Sequence, residues 1–244
     1  MSDPRHPQVL NSSGESLDFR YHPGDREDFL VILGHGVTGN MDRPLIVHLA
    51  NQLSTNGWPS LRFSFAGNGN SEGEFSDSTI TKEVDDLRCL IESHGKGRRL
   101  IYIGHSMGGA VGVIAASKKD TFDGLVSLAG MVDTTKFCET EFGEVTPDEG
   151  FMWDDEECPL SQAYVDDLHA IGDTIASARK VRNPWLLLHG SEDDVVPLQD
   201  SQTAYGVSEA DAELVVIDGA DHVFTDHLEP MSDEVLRWLQ DHFG

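Results

Sequence analysis

The chain reads as an α/β domain, a mostly parallel sheet of about eight strands flanked by helices, with a small inserted lid. Three observations predict it. Short apolar runs alternate with amphipathic stretches along most of the 244 residues, which is the rhythm of βαβ units. Phe29-Leu30-Val31-Ile32-Leu33 is apolar without alternation, as suits a strand buried on both faces of a parallel sheet. One segment, 131–183, breaks the rhythm and is too long for a connection. A single domain over 1–244, with 131–183 as its inserted lid, accommodates all three.

Residues 1–16 read as a loose lead-in with a turn at Asn11-Ser12-Ser13-Gly14. Leu17–Tyr21 is expected as an early edge strand. After the loop 34–43, Pro44 suits a helix start, and Leu45, Val47, Leu49 and Leu53 continue an amphipathic stretch that stops at Gly57. Trp58–Phe65 is the next strand. Asp77-Ser78 offers a cap for a helix to about Ser93, with Val84, Leu87, Leu90 and Ile91 on one face. Further strands are expected at Leu100–Ile103, Leu125–Ala129, Trp185–His189 and Glu213–Ile217, and further helices near 198–206 and 230–242.

Acidic residues outnumber basic ones by 43 to 17, for a net charge of −26. Such a surface repels nucleic acid and anionic membranes, so neither is expected as a partner. No stretch approaches the roughly 20 apolar residues that span a bilayer. The opening Met1-Ser2-Asp3-Pro4-Arg5-His6 lacks an apolar core of the secretory kind. Cys89, Cys138 and Cys158 show no metal-ligand spacing, and their odd number argues against a disulfide framework. A Cys138–Cys158 bridge stays open. A reducing compartment, the cytoplasm, is the expectation; the oligomeric state is undetermined, a homodimer included.

The chemistry centres on Gly104-His105-Ser106-Met107-Gly108, between the strand Leu100–Ile103 and the small residues Gly109, Ala110, Gly112, Ala115 and Ala116. Strand, tight turn and helix around G-x-S-x-G make a nucleophile elbow. A serine hydroxyl is a poor nucleophile unless a base takes its proton and a carboxylate orients that base. In an elbow protein these follow in the order Ser, Asp or Glu, His. Asp193 follows the Trp185–His189 strand and His222 follows the last strand, so Ser106, Asp193 and His222 are the candidate catalytic residues. Asp193 could instead be a turn residue capping the helix after Pro197, and Asp194 rivals it. His35, His105, His169, His189 and His227 read as structural or exposed rather than as the base.

Acyl transfer also needs amides facing the oxyanion. One is expected from the Met107 N–H and the other from Val37, in the loop Gly34-His35-Gly36-Val37-Thr38-Gly39-Asn40. His35 and Gly36 of that loop are candidate substrate-lining residues. The chain has no P-loop and no H-E-x-x-H, so no nucleotide, metal or other cofactor is expected. From Phe137 through Ala178 the insertion carries twelve carboxylates and no Lys or Arg, together with Phe137, Phe142, Phe151, Trp153 and Tyr164. Its aromatics could form a small core of their own, or some of them, Trp153 included, could face substrate. The acidic insertion predicts a preference for neutral over anionic esters.

With these motifs in order, the chain resembles the α/β-hydrolase fold from about residue 15 onward. Within it the chain looks most like small bacterial carboxylesterases of the cinnamoyl/feruloyl-esterase type, near monoacylglycerol lipases and the serine-aminopeptidase-like group. The matching text is His35–Asn40, Gly67–Gly73, Gly104–Gly109, His189–Pro197 and Gly219–Phe224. The resemblance implies a Ser106–Asp193–His222 triad and a lid at 131–183 that shapes the acyl pocket. It implies Tyr164, and less directly Asp133, as polar groups holding the acid portion of a small-molecule ester. Where relatives often read F-D-x-x-G-H-G, this chain has Phe63-Ser64-Phe65-Ala66-Gly67-Asn68-Gly69. Those positions are expected to serve loop geometry. Rival readings keep the triad but change the bond (thioesterase, monoacylglycerol lipase, peptidase or perhydrolase). A hydrolase-fold receptor without turnover is the reading from another class.

Overall fold

A seven-stranded sheet organises the molecule, described here by a computed structural model for residues 7–118 and 121–244. Met1–His6 lie outside the described residues. The chain opens with β1 (Val9–Leu10) and β2 (Ser16–Leu17), followed by β3 (Phe19–His22), β4 (Phe29–Gly34), α1 (Pro44–Thr55) and β5 (Ser60–Phe63). Then come α2 (Ile80–His94), β6 (Arg99–His105), α3 (Met107–Ala116) and β7 (Gly124–Leu128). The insertion holds α4 (Thr134–Phe142), α5 (Gln162–Ile171) and α6 (Ile175–Ala178). The chain closes with β8 (Trp185–Gly190), α7 (Leu198–Val207), β9 (Ala212–Ile217) and α8 (Leu228–Phe243). Sheet order is β3-β5-β4-β6-β7-β8-β9, with only β3 antiparallel to its neighbour.

The mostly parallel sheet flanked by helices is as expected, with seven strands, while the first two short strands pair with each other apart from it. That hairpin also replaces the loose lead-in expected for residues 7–16. Asn11 clips it to the body, its amide donating to Glu15 Oε2 at 2.7 Å and to Asp86 Oδ1 at 2.8 Å.

The central strands are buried on both faces, which is why they carry no alternation. Leu30 and Ile32 of β4 point into one core with Leu87 and Leu90 of α2 and Val111 of α3. Val31 and Leu33 point into the other with Leu49 and Leu53 of α1 and Val235 and Trp238 of α8. Period-two strands thus meet period-3.6 helices on each side. The second helix begins later than expected: Thr79 caps it, accepting from the Lys82 N–H at 3.1 Å, while Asp77 ends a short 3-10 turn at Phe75–Asp77.

All three cysteines are free thiols, so Cys138 and Cys158 are not bridged. Among the described residues no helix is long and apolar enough to cross a membrane. The insertion is tied down at its root, where buried Asp200 of α7 accepts from the N–H groups of Val132 at 2.8 Å and Asp133 at 3.1 Å. Register places Gly34 of β4 beside Gly104 of β6, and Gly190 of β8 beside Ile217 of β9. Four loops therefore leave the carboxyl rim of the sheet together, where α/β proteins build sites.

Candidate active site

Ser106 occupies the sharp turn between β6 and α3, at φ 54° and ψ −119°. A non-glycine residue held there stores about 1–3 kcal/mol and needs its surroundings to enforce it. The enforcement is visible: its N–H donates to Leu128 O at 2.9 Å, and its carbonyl accepts from Gly109 N at 2.9 Å and Met131 N at 3.1 Å. A Cβ on Gly104 would stand 2.1 Å from Gly108 O, so no side chain fits inside the turn.

Asp193 and His222 meet across the loops after β8 and β9. His222 Nδ1 lies 2.8 Å from Asp193 Oδ2, and the Asp193 side chain is fully buried. The other carboxylate oxygen accepts from the Val195 and Val196 amides at 3.0 and 2.9 Å. Asp193 therefore organises its own turn and orients the histidine with separate oxygens. It makes no side-chain cap to α7, whose N-cap is Pro197. Burial alone would raise the carboxyl's pKa, but hydrogen bonds from His189 and His222 and the Val196 amide hold it well below the usual carboxylate range.

Two histidines beyond the candidate base also serve this corner. His189 is buried at the end of β8, with Nε2 3.2 Å from Asp193 Oδ2 and 2.9 Å from Val196 O, and Nδ1 2.7 Å from Ser201 Oγ. His105, beside Ser106, donates from Nε2 to the His222 carbonyl at 2.9 Å, and the two rings stand 4.8 Å apart. Burial, and then the neighbouring His222, push the His105 pKa down to about 3, so it is a neutral strut. The sequence places both beside motif residues, but their partners depend on register.

The loop after β4 closes over Ser106. His35 accepts from the Phe65 N–H at Nε2, 3.1 Å away, and donates from Nδ1 to Gly36 O at 2.8 Å. Both ring nitrogens are thus engaged in holding the loop, and burial lowers the pKa to about 4. A Cβ on Gly36 would come 2.9 Å from Ser106 Cβ. Thr38 sits at φ 53°, and its carbonyl accepts from the Arg43 guanidinium at 2.7 Å. Met107 opens α3, so its N–H belongs to the first turn, which has no intrahelical acceptor.

Ser106 and His222 line one cavity of about 550 Å³, together with His35, Gly36, Val37 and Trp153. Met107 and Tyr164 do not line it. They border a space of about 10 Å³ with Val37 and Glu83, room for one water. Tyr164 is buried, and its hydroxyl lies 3.6 Å from Met107 Sδ. Asp133 lies elsewhere again. Its carboxylate caps α4 through the Lys136 N–H at 2.8 Å, and it faces a third cavity of about 230 Å³. Val195 borders both that cavity and the one holding Ser106.

Trp153 is the one insertion residue lining the Ser106 cavity. It stands at φ 48° and ψ 38° in the 3-10 turn Met152–Asp154, packed edge-on against Phe142 at 4.9 Å. Its indole N–H donates to Glu141 Oε2 at 2.9 Å. The two divergent positions of the 63–73 stretch serve the loop: Ser64 Oγ accepts from Met41 N, and Asn68 donates to Ala66 O and Ser78 Oγ.

A serine on a strained turn after a central strand, with an imidazole tied to a buried carboxylate on the same rim, defines an α/β hydrolase. The chain belongs to that superfamily: the family described as serine aminopeptidase, S33, matches residues 25–146, and the prolyl oligopeptidase family matches 88–244. It is 26% identical over 233 residues to YfhR of Escherichia coli K12, an uncharacterized protein, covering 89% of this chain and 73% of that one. It is 25% identical over 206 residues to the bovine mitochondrial palmitoyl-protein thioesterase ABHD10, covering 79% of this chain and 66% of that one. Among solved structures, Est1E of Butyrivibrio proteoclasticus with ferulic acid bound superposes with a TM-score of 0.87 at 25% identity, covering 97% of this chain and 99% of that one.

Proposed function

We propose that the protein is a serine carboxylic-ester hydrolase working through Ser106, His222 and Asp193. The observation that carries the reading is the 2.8 Å contact from His222 Nδ1 to the buried Asp193 carboxylate, on the cavity that Ser106 lines. The contact leaves His222 Nε2 unprotonated, able to take the serine proton as Oγ attacks the ester carbonyl. Asp193 stays ionised and stabilises the imidazolium. The Val37 and Met107 amides receive the oxyanion, each worth about 3 kcal/mol. His222 then gives its proton to the departing alcohol, leaving an acyl-enzyme. Water, deprotonated by His222, attacks the acyl carbonyl, and collapse releases the acid and restores Ser106. These steps need only the chain's own residues and water.

Small or medium esters suit a cavity of about 550 Å³, and the ferulic acid held by the Est1E neighbour supports aromatic acids among them. A second reading, thioester hydrolysis, is favoured by the likeness to ABHD10, named a palmitoyl-protein thioesterase. The free thiols fit a cytoplasmic setting.

A fluorophosphonate probe should label the native protein and not Ser106→Ala. Rates on p-nitrophenyl esters, matched acyl thioesters and aminoacyl amides then fix the bond. Faster thioester turnover would select the second reading. Absence of labelling in the native protein would remove both.

A further inference from the structure

The chain carries a net charge of −26, yet none of the described residues lining the Ser106 cavity is an Asp or a Glu. The thirteen carboxylates of the insertion stay off its wall, since Trp153 is the insertion's one contribution. Three carboxylates close to the lining residues are engaged elsewhere. Asp42 ion-pairs with Arg62, Glu141 accepts the Trp153 indole N–H, and Asp193 receives two imidazoles.

Of the described lining residues, Arg43 is the one with a permanent charge. It is exposed and makes no ion pair among the described residues, despite the surplus of acid around it. Its guanidinium spends one N–H on the Thr38 carbonyl at 2.7 Å. That leaves donors in the planar fork that matches a carboxylate or phosphate. Pro44, Leu45, Ile46 and Leu228 give the same cavity apolar wall. A charge-assisted hydrogen bond is stronger beside such low-dielectric walls.

We propose that this cavity selects substrates bearing an anionic group, a carboxylate or phosphate, which seats on Arg43. The proposal rests on the hydrolase reading of Ser106 and reverses the preference for neutral esters that the acidic insertion predicts. The two charge effects act over different ranges. Repulsion from the whole molecule slows the approach of an anion, and it is screened beyond about 8 Å at physiological ionic strength. The Arg43 contact is short and survives salt. Selectivity for the anion therefore rises with salt until repulsion is screened, opposite to simple attraction by a basic surface.

Two matched pairs test this in 0.15 M NaCl. One places the charge on the alcohol, 4-carboxyphenyl against 4-carbamoylphenyl butyrate. The other places it on the acid, the p-nitrophenyl monoester of suberic acid against its terminal amide. In at least one pair the native enzyme should favour the anion by about tenfold or more in kcat/KM. Arg43→Gln should abolish that ratio and Arg43→Lys keep part of it. A ratio at or below one in both pairs overturns the proposal. So does Arg43→Gln slowing both members equally, the result expected if Arg43 only props Thr38. Calorimetric binding of 4-hydroxybenzoate against 4-hydroxybenzamide, to native protein and Arg43→Gln, separates the two failures. If no ester turns over yet benzoate binds tighter through Arg43, the ester reading fails and the anion site stands. Equal binding together with equal rates sinks the anion site alone.

Discussion

His189 Nε2 stands 3.2 Å from Asp193 Oδ2, the same oxygen that receives His222 at 2.8 Å. One buried carboxylate oxygen thus serves two imidazoles from different loops, and His189 is fixed from behind by Ser201. Loss of His189 removes one of the four hydrogen bonds that fix the Asp193 carboxylate. His189→Ala should lower kcat on a neutral ester about tenfold while KM stays within about twofold, since the effect reaches the reaction through orientation alone. Asp193→Asn should lower kcat by about 10⁴, because an amide favours the wrong His222 tautomer. Steady-state kinetics on both variants checks the ordering.

The strain at Ser106 sets stability against turnover. Glycine adopts φ 54° without the side-chain clash. Ser106→Gly should therefore raise unfolding free energy by about 1–2 kcal/mol while abolishing ester hydrolysis. Urea melts of native protein, Ser106→Gly and Ser106→Ala measure it, with the alanine variant showing no such gain.

His105 makes stability fall in acid. Its folded pKa, about 3, is below the 6.5 of an unconstrained histidine. Above pH 6.5 both folded and unfolded forms are neutral and nothing is lost. As pH falls through 6.5 the unfolded chain takes a proton that the folded chain refuses, at about 1.4 kcal/mol per pH unit. His105→Gln keeps a donor for the His222 carbonyl without a titrating ring. Its stability relative to native should improve by about that slope between pH 6.5 and 5, read from denaturant melts at each pH.

Glu83 works with the opposite sign. It is buried, its Oε2 has no hydrogen-bond partner, and burial first, then Asp86 and Asp167, push its pKa well above 4.5. Folded protein holds the proton where the unfolded chain releases it. The contribution is thus full below pH 4.5 and is lost as pH rises toward the folded value. Glu83→Gln should gain on native by about 1.4 kcal/mol per pH unit above 4.5. Equal pH dependence of the two proteins in thermal melts would contradict a raised Glu83.

The site's frame was legible because its signals are local. A serine between two glycines after an apolar run, an acid after a strand end and a histidine after the last strand need only chain order. Partners far apart in sequence were not legible, because register decides them: the His105–His222 carbonyl contact, Asn11 on Asp86 and Asp200 on the root of the insertion. The insertion was least readable. Its path follows caps and turns rather than a hydrophobic period, so Tyr164 packs against Met107 and Asp133 caps a helix outside the Ser106 cavity. Leu45 reads as part of a helix face, yet it also lines the cavity. Periodicity tells which side of a helix is apolar, and not whether protein or ligand meets it.

Val195 borders both the chamber holding Ser106 and the one beside Asp133. Its amide serves Asp193, and its side chain packs, partly buried, against the core. Backbone and side chain at this position thus answer to different demands, and trimming the valine to alanine leaves the Asp193 turn its donor. A change of side-chain bulk at this position alters the boundary of two cavities while the backbone bond to the Asp193 carboxylate stays in place.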